Sequence, residues 1–297
     1  MSKPDFLETT EFSEQQVLEM MNLGAALKAC VRAQYYPPLI RKQTVALHIA
    51  QAGAPLDLAL KTAIGQLGGA FVSVDDWPLE PPDSLRHTAT LLSENCDCAI
   101  VACERHETLL ALAKYAEIPI ISAGSSFARP IAELAALITM YEHLPGEKKL
   151  EECKAVYAGK ADSFCTSMLF ICSKIGMQFV QLCKEKPHEL QPPVLKLAER
   201  NVKKSGGTYA VTDNPAEAYH NADFLFLDAP VGAKLPQEAS GLLRIDGTEN
   251  LLTAARAILA CTLYRNPASR EPILVEKMKR MLAIKLQAIF GFGEASE

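Results

Sequence analysis

Apolar and polar positions along this chain switch between two periods. Val17, Met20, Met21, Leu27 and Val31 recur at helical spacing, and Ser13 with Gln16 forms a capping box ahead of them. The stretch YYPPL (35–39) ends this helix, because proline disfavours the helical conformation in the residue before it. The apolar run TVALHIA (44–50) then predicts a buried strand. A helical stripe of Leu56, Leu60, Ile64 and Leu67 follows, stopped by Gly68 and Gly69. FVSV (71–74) predicts the next strand, and Asp83 or Ser84 caps a helix through Leu92. CAIVAC (98–103), a helix over 106–116 and IPIISAG (118–124) continue the alternation. A longer helix runs from Pro130, with proline in its first turn, to about His143.

The polar, charged stretch LPGEKKLEE (144–152) reads as a boundary, after which the alternation repeats. KAVYAG (154–159), QFVQLC (178–183), TYAVT (208–212) and DFLFLDAP (223–230) predict strands. Helices are expected over 162–176, 194–204 and 215–221 between them, and over 249–264 and 272–290 at the end. Strands that are apolar throughout belong to parallel sheets covered on both faces. The expected fold class is therefore α/β, with two doubly wound parallel-sheet domains of four strands each. The first spans 1–143 and the second 144–265, and the helix within 266–297 packs back on the first. In such sheets ligands sit at the C-terminal ends of the strands and in the cleft between domains.

Composition narrows the partners. The 297 residues carry a formal charge of −5, mixed in sign along the chain, so no basic stripe points to nucleic acid or an anionic membrane. No apolar run is long enough to cross a bilayer. The acidic opening MSKPDFLETTEF lacks an apolar signal core. Nine cysteines at irregular spacing argue against a disulfide framework and for a reducing, cytoplasmic compartment.

Several segments together resemble the aspartate/ornithine carbamoyltransferase family, nearer its ornithine branch. They are FLETTEFSEQQVLEMMNLGAALK, TVALHIAQAGAPLDLALKTAIGQLGG, DSLRHTATLLSENCDCAIV, the stretch ending SAGSSFARPIAELAALITMYEH, and DNPAEAYHNADFLFLDA. The resemblance implies carbamoyl phosphate in the N-terminal domain, the amine substrate in the C-terminal one, and a trimer with sites at subunit junctions. The family's phosphate loop reads Ser-Thr-Arg-Thr-Arg at a helix N-terminus, a natural anion seat. Here the corresponding residues are Gly53, Ala54, Pro55, Leu56 and Asp57. Both guanidiniums and all three hydroxyls are replaced, Pro55 removes a backbone donor, and Asp57 is expected to repel a phosphate. The next family arginine falls on Ala102, and the His and Gln of His-Pro-x-Gln fall on Arg129 and Ala132. The family's Asp-Gly-Asn-Asn falls on Lys160, Ala161, Asp162 and Ser163. The His-Cys-Leu-Pro segment has no counterpart, and the last family arginine falls on Leu251.

Other chemistry-bearing residues read more plainly. Cys96, Cys98 and Cys103 read as small apolar core residues, with a metal site that includes His106 as the minor alternative, because five positions place Cys98 and Cys103 on opposite faces of a strand. Cys165 and Cys172 share one helix face and read as core. His48 reads as a satisfied core histidine, and His143 and His220 as helix-closing residues. Arg86, Arg105, Arg129 and Lys160 fall near the old phosphate cleft by the resemblance and form a candidate anion site; the alternative is solvated loop charge. The expected function is a catalytically silent homologue with a binding or regulatory role in arginine or ornithine metabolism. It would hold a small anionic metabolite, as a homotrimer or with an active paralogue, and no cofactor or metal is expected. The alternative is a divergent transferase using another anionic donor and amine acceptor.

Overall fold

The computed structural model describes residues 3–49, 53–74, 77–79, 82–227, 237–239, 242–245, 247–264 and Arg280. A helix α1 (Glu14–Arg32) opens the fold, and its capping box forms as the Ser13 and Gln16 spacing predicts. The first unit then follows as β1 (Thr44–His48), α2 (Ala54–Gln66), β2 (Ala70–Ser73), α3 (Pro82–Asn95), β3 (Cys98–Ala102), α4 (His106–Tyr115), β4 (Ile120–Gly124) and α5 (Pro130–Glu142). The second unit contains β5 (Lys154–Ala158), α6 (Ser163–Ile175), β6 (Gln178–Leu182), α7 (Pro192–Ser205), β7 (Thr208–Thr212), α8 (Pro215–Tyr219), β8 (Phe224–Leu227) and β9 (Leu243–Ile245). The last described helix is α9 (Leu251–Leu263).

All strand pairs are parallel, in the orders β2-β1-β3-β4 and β7-β6-β5-β8-β9. The second sheet thus has a fifth strand that the sequence pattern does not announce. β9 is three residues long, exposes Leu243 and places Arg244 in its centre, so it lacks an apolar run. β2 also departs from expectation. All four of its residues are exposed, including Phe71 and Val72, because it lies at the sheet edge. α3 starts at Pro82, so Asp83 sits inside the first turn rather than at the cap.

Side chains of β3 alternate between two cores, as a period of two requires. Cys98, Ile100 and Ala102 face an inner core shared by both units, whereas Ala99, Val101 and Cys103 face an outer one under α3 and α4. The inner core joins α1, α2, α5 and α9 to α6 of the second unit through Leu27, Leu60, Ile138, Ile258 and Phe170. α9 packs against α1, α2 and α5. This approach is close because α1 carries Gly24, where a Cβ would meet Ile138 and Thr253 at 3.2 Å. The final predicted helix, 272–290, lies outside the described residues apart from Arg280.

The N-terminal segment straps the first unit to the second. Phe6 bridges Ile121 in parallel at the free edge of β4, and the Phe12 carbonyl accepts from Lys174 Nζ on α6. Between these points the Thr9 hydroxyl donates to the carboxyl of Glu133 on α5.

Candidate functional site

The chain leaves β1 to one side and β3 to the other in the first sheet, and a cleft opens where the order reverses. It has a volume of about 560 Å³. The start of α2 contributes Gly53, Pro55 and Leu56, and the end of β3 contributes Ala102, Cys103 and Glu104. The end of β4 and the start of α5 add Ala123, Gly124, Ser125, Arg129 and Ala132. Ser163 and Phe164 of α6 and the approach to α9, through Gly247, Thr248 and Leu251, close the side toward the second unit. Gly247 has φ +74°, and a Cβ there would meet the Phe164 ring at 2.9 Å, so glycine is what lets these two elements touch.

The first turn of α2 is a weak anion seat. Gly53 is its N-cap, with φ 82° and no side-chain cap, and the N–H of Asp57 already donates to the Gly53 carbonyl at 3.2 Å. Ala54 and Leu56 supply N–H groups, whereas Pro55 between them has none. The carboxylate of Asp57 does not line the cleft. It pairs with Lys61 one turn along, at 2.8 Å, because i and i+4 side chains share a helix face. The expected repulsion by Asp57 is therefore weakened, and the cation it engages is itself directed along the helix surface. Residues 50–52 of the loop lie outside the described residues.

Of the four candidate cations, Arg129 alone lines the cleft. Its Nε donates to Ser163 Oγ at 2.9 Å, its backbone N–H to Ser167 Oγ at 2.9 Å, and its guanidinium lies 3.6 Å from Asp162 Oδ2. Asp162 is itself fixed as the N-cap of α6, accepting from Cys165 N and from the Tyr157 hydroxyl. Arg86 stacks over the Tyr115 ring, 4.4 Å from its centroid, and donates to the Tyr115 hydroxyl, so its charge is spent against α4. Arg105 precedes α4 as its N-cap, and its carbonyl accepts from Cys103 Sγ. Lys160 is exposed on the loop after β5. The structure does not bring these three into the cleft lining with Arg129.

Three polar side chains that sequence reasoning did not single out, those of Glu104, Ser125 and Thr248, do line it. Glu104 follows β3, is exposed, and has no ion-pair partner among the described residues. Ser125 Oγ lies 3.0 Å from His106 Nδ1 and accepts from the Phe127 N–H, which pins the loop leading to Arg129. The available signal for Glu104 and Ser125 was their position just beyond a predicted parallel strand. Cys103, also in the lining, has its thiol pushed up to about 11 by burial and is no activated nucleophile. Among the described residues no three His, Cys, Asp or Glu side chains gather to hold a metal, and no helix is long and apolar enough to cross a membrane. His48 is satisfied by the Val74 carbonyl at 2.9 Å and stacks on Trp77.

Comparison with known proteins agrees with this layout. Residues 4–142 match the family model of the aspartate/ornithine carbamoyltransferase carbamoyl-P binding domain, and residues 151–261 match that of the Asp/Orn binding domain. The ornithine carbamoyltransferase of Campylobacter curvus is 29% identical over 271 residues, covering 89% of this chain and 86% of that protein. The putrescine carbamoyltransferase of Mycoplasma capricolum is 28% identical over 235 residues, covering 75% of this chain and 63% of that protein. The fold is shared with the ornithine carbamoyltransferase of Pyrococcus furiosus, at a TM-score of 0.78, 20% identity and coverage of 89% and 98% of the two chains. It is shared equally with the ornithine transcarbamoylase of Giardia lamblia, at a TM-score of 0.79, 16% identity and coverage of 90% and 100%. With both family domains matched in order along the chain and the cleft at their seam, this chain belongs to the aspartate/ornithine carbamoyltransferase family.

Proposed function

We propose that this chain is a catalytically silent carbamoyltransferase homologue that binds a small carboxylate-bearing metabolite and acts by binding or regulation, alone as an oligomer or with an active paralogue. The observation that carries this reading is the charge of the cleft. Its one lining cation among the described residues, Arg129, is already opposed by Asp162, and Glu104 adds a negative charge at the rim. Carbamoyl phosphate brings roughly two negative charges to such a place and asks for donors on both the phosphate and the developing carbamoyl oxyanion. Each such donor is worth ~2–4 kcal/mol in a desolvated site, and their effects act as a unit. Residues 53–57 and Ala102 supply no side-chain donor to that task in the cleft. A divergent transferase would need replacement cations, and Arg86, Arg105 and Lys160 lie outside the lining.

The test is a transfer assay on purified protein with carbamoyl phosphate and, in turn, ornithine, putrescine and aspartate. The reading expects no carbamoylated amine above the uncatalysed blank. Sustained turnover with any of the three contradicts it.

A further inference from the structure

Among the described residues, the lining of the cleft carries one charge of each sign beside a group of apolar side chains. Glu104 and Arg129 stand on neighbouring loops that are tied together: the Ser126 N–H donates to the Glu104 carbonyl at 2.8 Å, and the Cys103 N–H to the Gly124 carbonyl at 3.1 Å. The stem of Arg129 lies across Gly124, where a Cβ would sit 3.6 Å from its Cγ. Pro55, Leu56, Ala102, Ala132 and Leu251 give the lining an apolar portion without a polar side-chain atom, beside the hydroxyls of Ser125, Ser163 and Thr248. We propose that the cleft takes an α-amino acid with an uncharged apolar side chain, its carboxylate on Arg129, its ammonium on Glu104 and its side chain against these apolar residues. The inference rests on the reading that the cleft binds rather than transfers.

Charge counting favours this ligand class over a phosphate. Among the described residues, Arg129, Asp162 and Glu104 sum to one negative charge, which repels a dianion and tolerates a zwitterion of no net charge. Arg129 retains its Nη1 edge, since its Nε is committed to Ser163 and Asp162 approaches Nη2, and a planar fork suits a carboxylate. Glu104 lacks a cationic partner among the described residues and suits an ammonium. A charged side chain set against Pro55, Leu56, Ala102, Ala132 and Leu251, by contrast, would gain no polar partner from them.

Isothermal titration of the intact chain with L-leucine and L-phenylalanine tests the inference. Inorganic phosphate, L-ornithine, 4-methylpentanoate and hexylamine serve as comparators, the last two each lacking one of the charged ends. Saturable binding of at least one of the two amino acids is expected, weaker for every comparator and reduced about tenfold or more by Arg129→Gln and by Glu104→Gln. Both side chains are exposed, so folding is preserved, and circular dichroism checks that. Absence of binding by both amino acids, equal or tighter binding of phosphate or ornithine, or binding indifferent to both substitutions overturns the inference. Turnover of carbamoyl phosphate would sink the silent reading whatever leucine does. A chain that neither turns over nor binds leucine or phenylalanine sinks this inference alone.

Discussion

Arg129 is held by Ser167 from across the seam: its backbone N–H donates at 2.9 Å to an Oγ that is fully buried on α6. The first turn of α5 is thereby fastened to the first helix of the second unit, and the cation of the cleft is placed by that unit. The Ser167 hydroxyl also favours the charged form of the Glu133 carboxyl. Ser167→Ala therefore strands the partly buried Arg129 N–H and removes a hydroxyl that favours the charged form of Glu133. A loss of ~1–3 kcal/mol is expected in urea unfolding. Ser163→Ala, which frees only a half-exposed guanidinium, is expected to cost less than ~1 kcal/mol.

Glu133 makes stability depend on pH. Burial raises its carboxyl from the ordinary 4.5 to about 8, against the lowering influence of Thr9, Ser167 and Lys174, while Glu8 on the N-terminal strap raises it further. Its second oxygen has no partner in the structure. The folded state holds this proton more tightly than the unfolded chain does. The contribution is thus complete below about pH 4.5 and is lost as pH rises through about 8. Glu133→Gln keeps the shape and removes the titration. The stability difference between wild type and this variant should shift by on the order of 2–4 kcal/mol in the variant's favour between pH 5 and pH 9. Parallel pH curves for the two proteins would show that Glu133 does not titrate in this window.

Arg256 on α9 is buried, and its Nε and Nη2 both donate to Gln66 Oε1 on α2, the first at 2.8 Å. Burial disfavours its charged form, and a neutral amide is a modest partner for a guanidinium. The two single substitutions should therefore differ. Gln66→Leu leaves a buried cation without its acceptor and should cost about 3 kcal/mol or more. Arg256→Met removes the charge together with its demand and should lie within ~1.5 kcal/mol of wild type, both read from thermal unfolding.

Much of the fold could be read from particular residues. Ser13 and Gln16 cap α1 as their spacing implies, Gly176 and Gly206 take left-handed conformations that end α6 and α7, and Cys98 and Cys103 face opposite cores. What escaped reading depends on contacts distant in sequence. β9 pairs with β8 through three residues with no apolar run. Phe6 joins β4 by a backbone bridge that leaves no side-chain pattern. Glu133 looks like an ordinary acidic residue in a helix's first turn, and its burial brings it to Thr9 of the strap and to Ser167 and Lys174 of α6. In the cleft, the replacement of residues 53–57 and Ala102 was legible, because it is a matter of residue type. Which of Arg86, Arg105, Arg129 and Lys160 faces the cleft was not, because Tyr115 captures one of them and loop geometry disposes of two more.

The central claim is that the cleft between β1, β3 and α6 no longer grips carbamoyl phosphate. Direct titration of the purified chain with carbamoyl phosphate, followed by phosphorus NMR and calorimetry at low ionic strength, tests it most directly. The account predicts no saturable binding up to millimolar donor and no broadening or shift of the phosphorus signal. Saturable binding that protects the helix beginning at Ala54 from hydrogen exchange would contradict it.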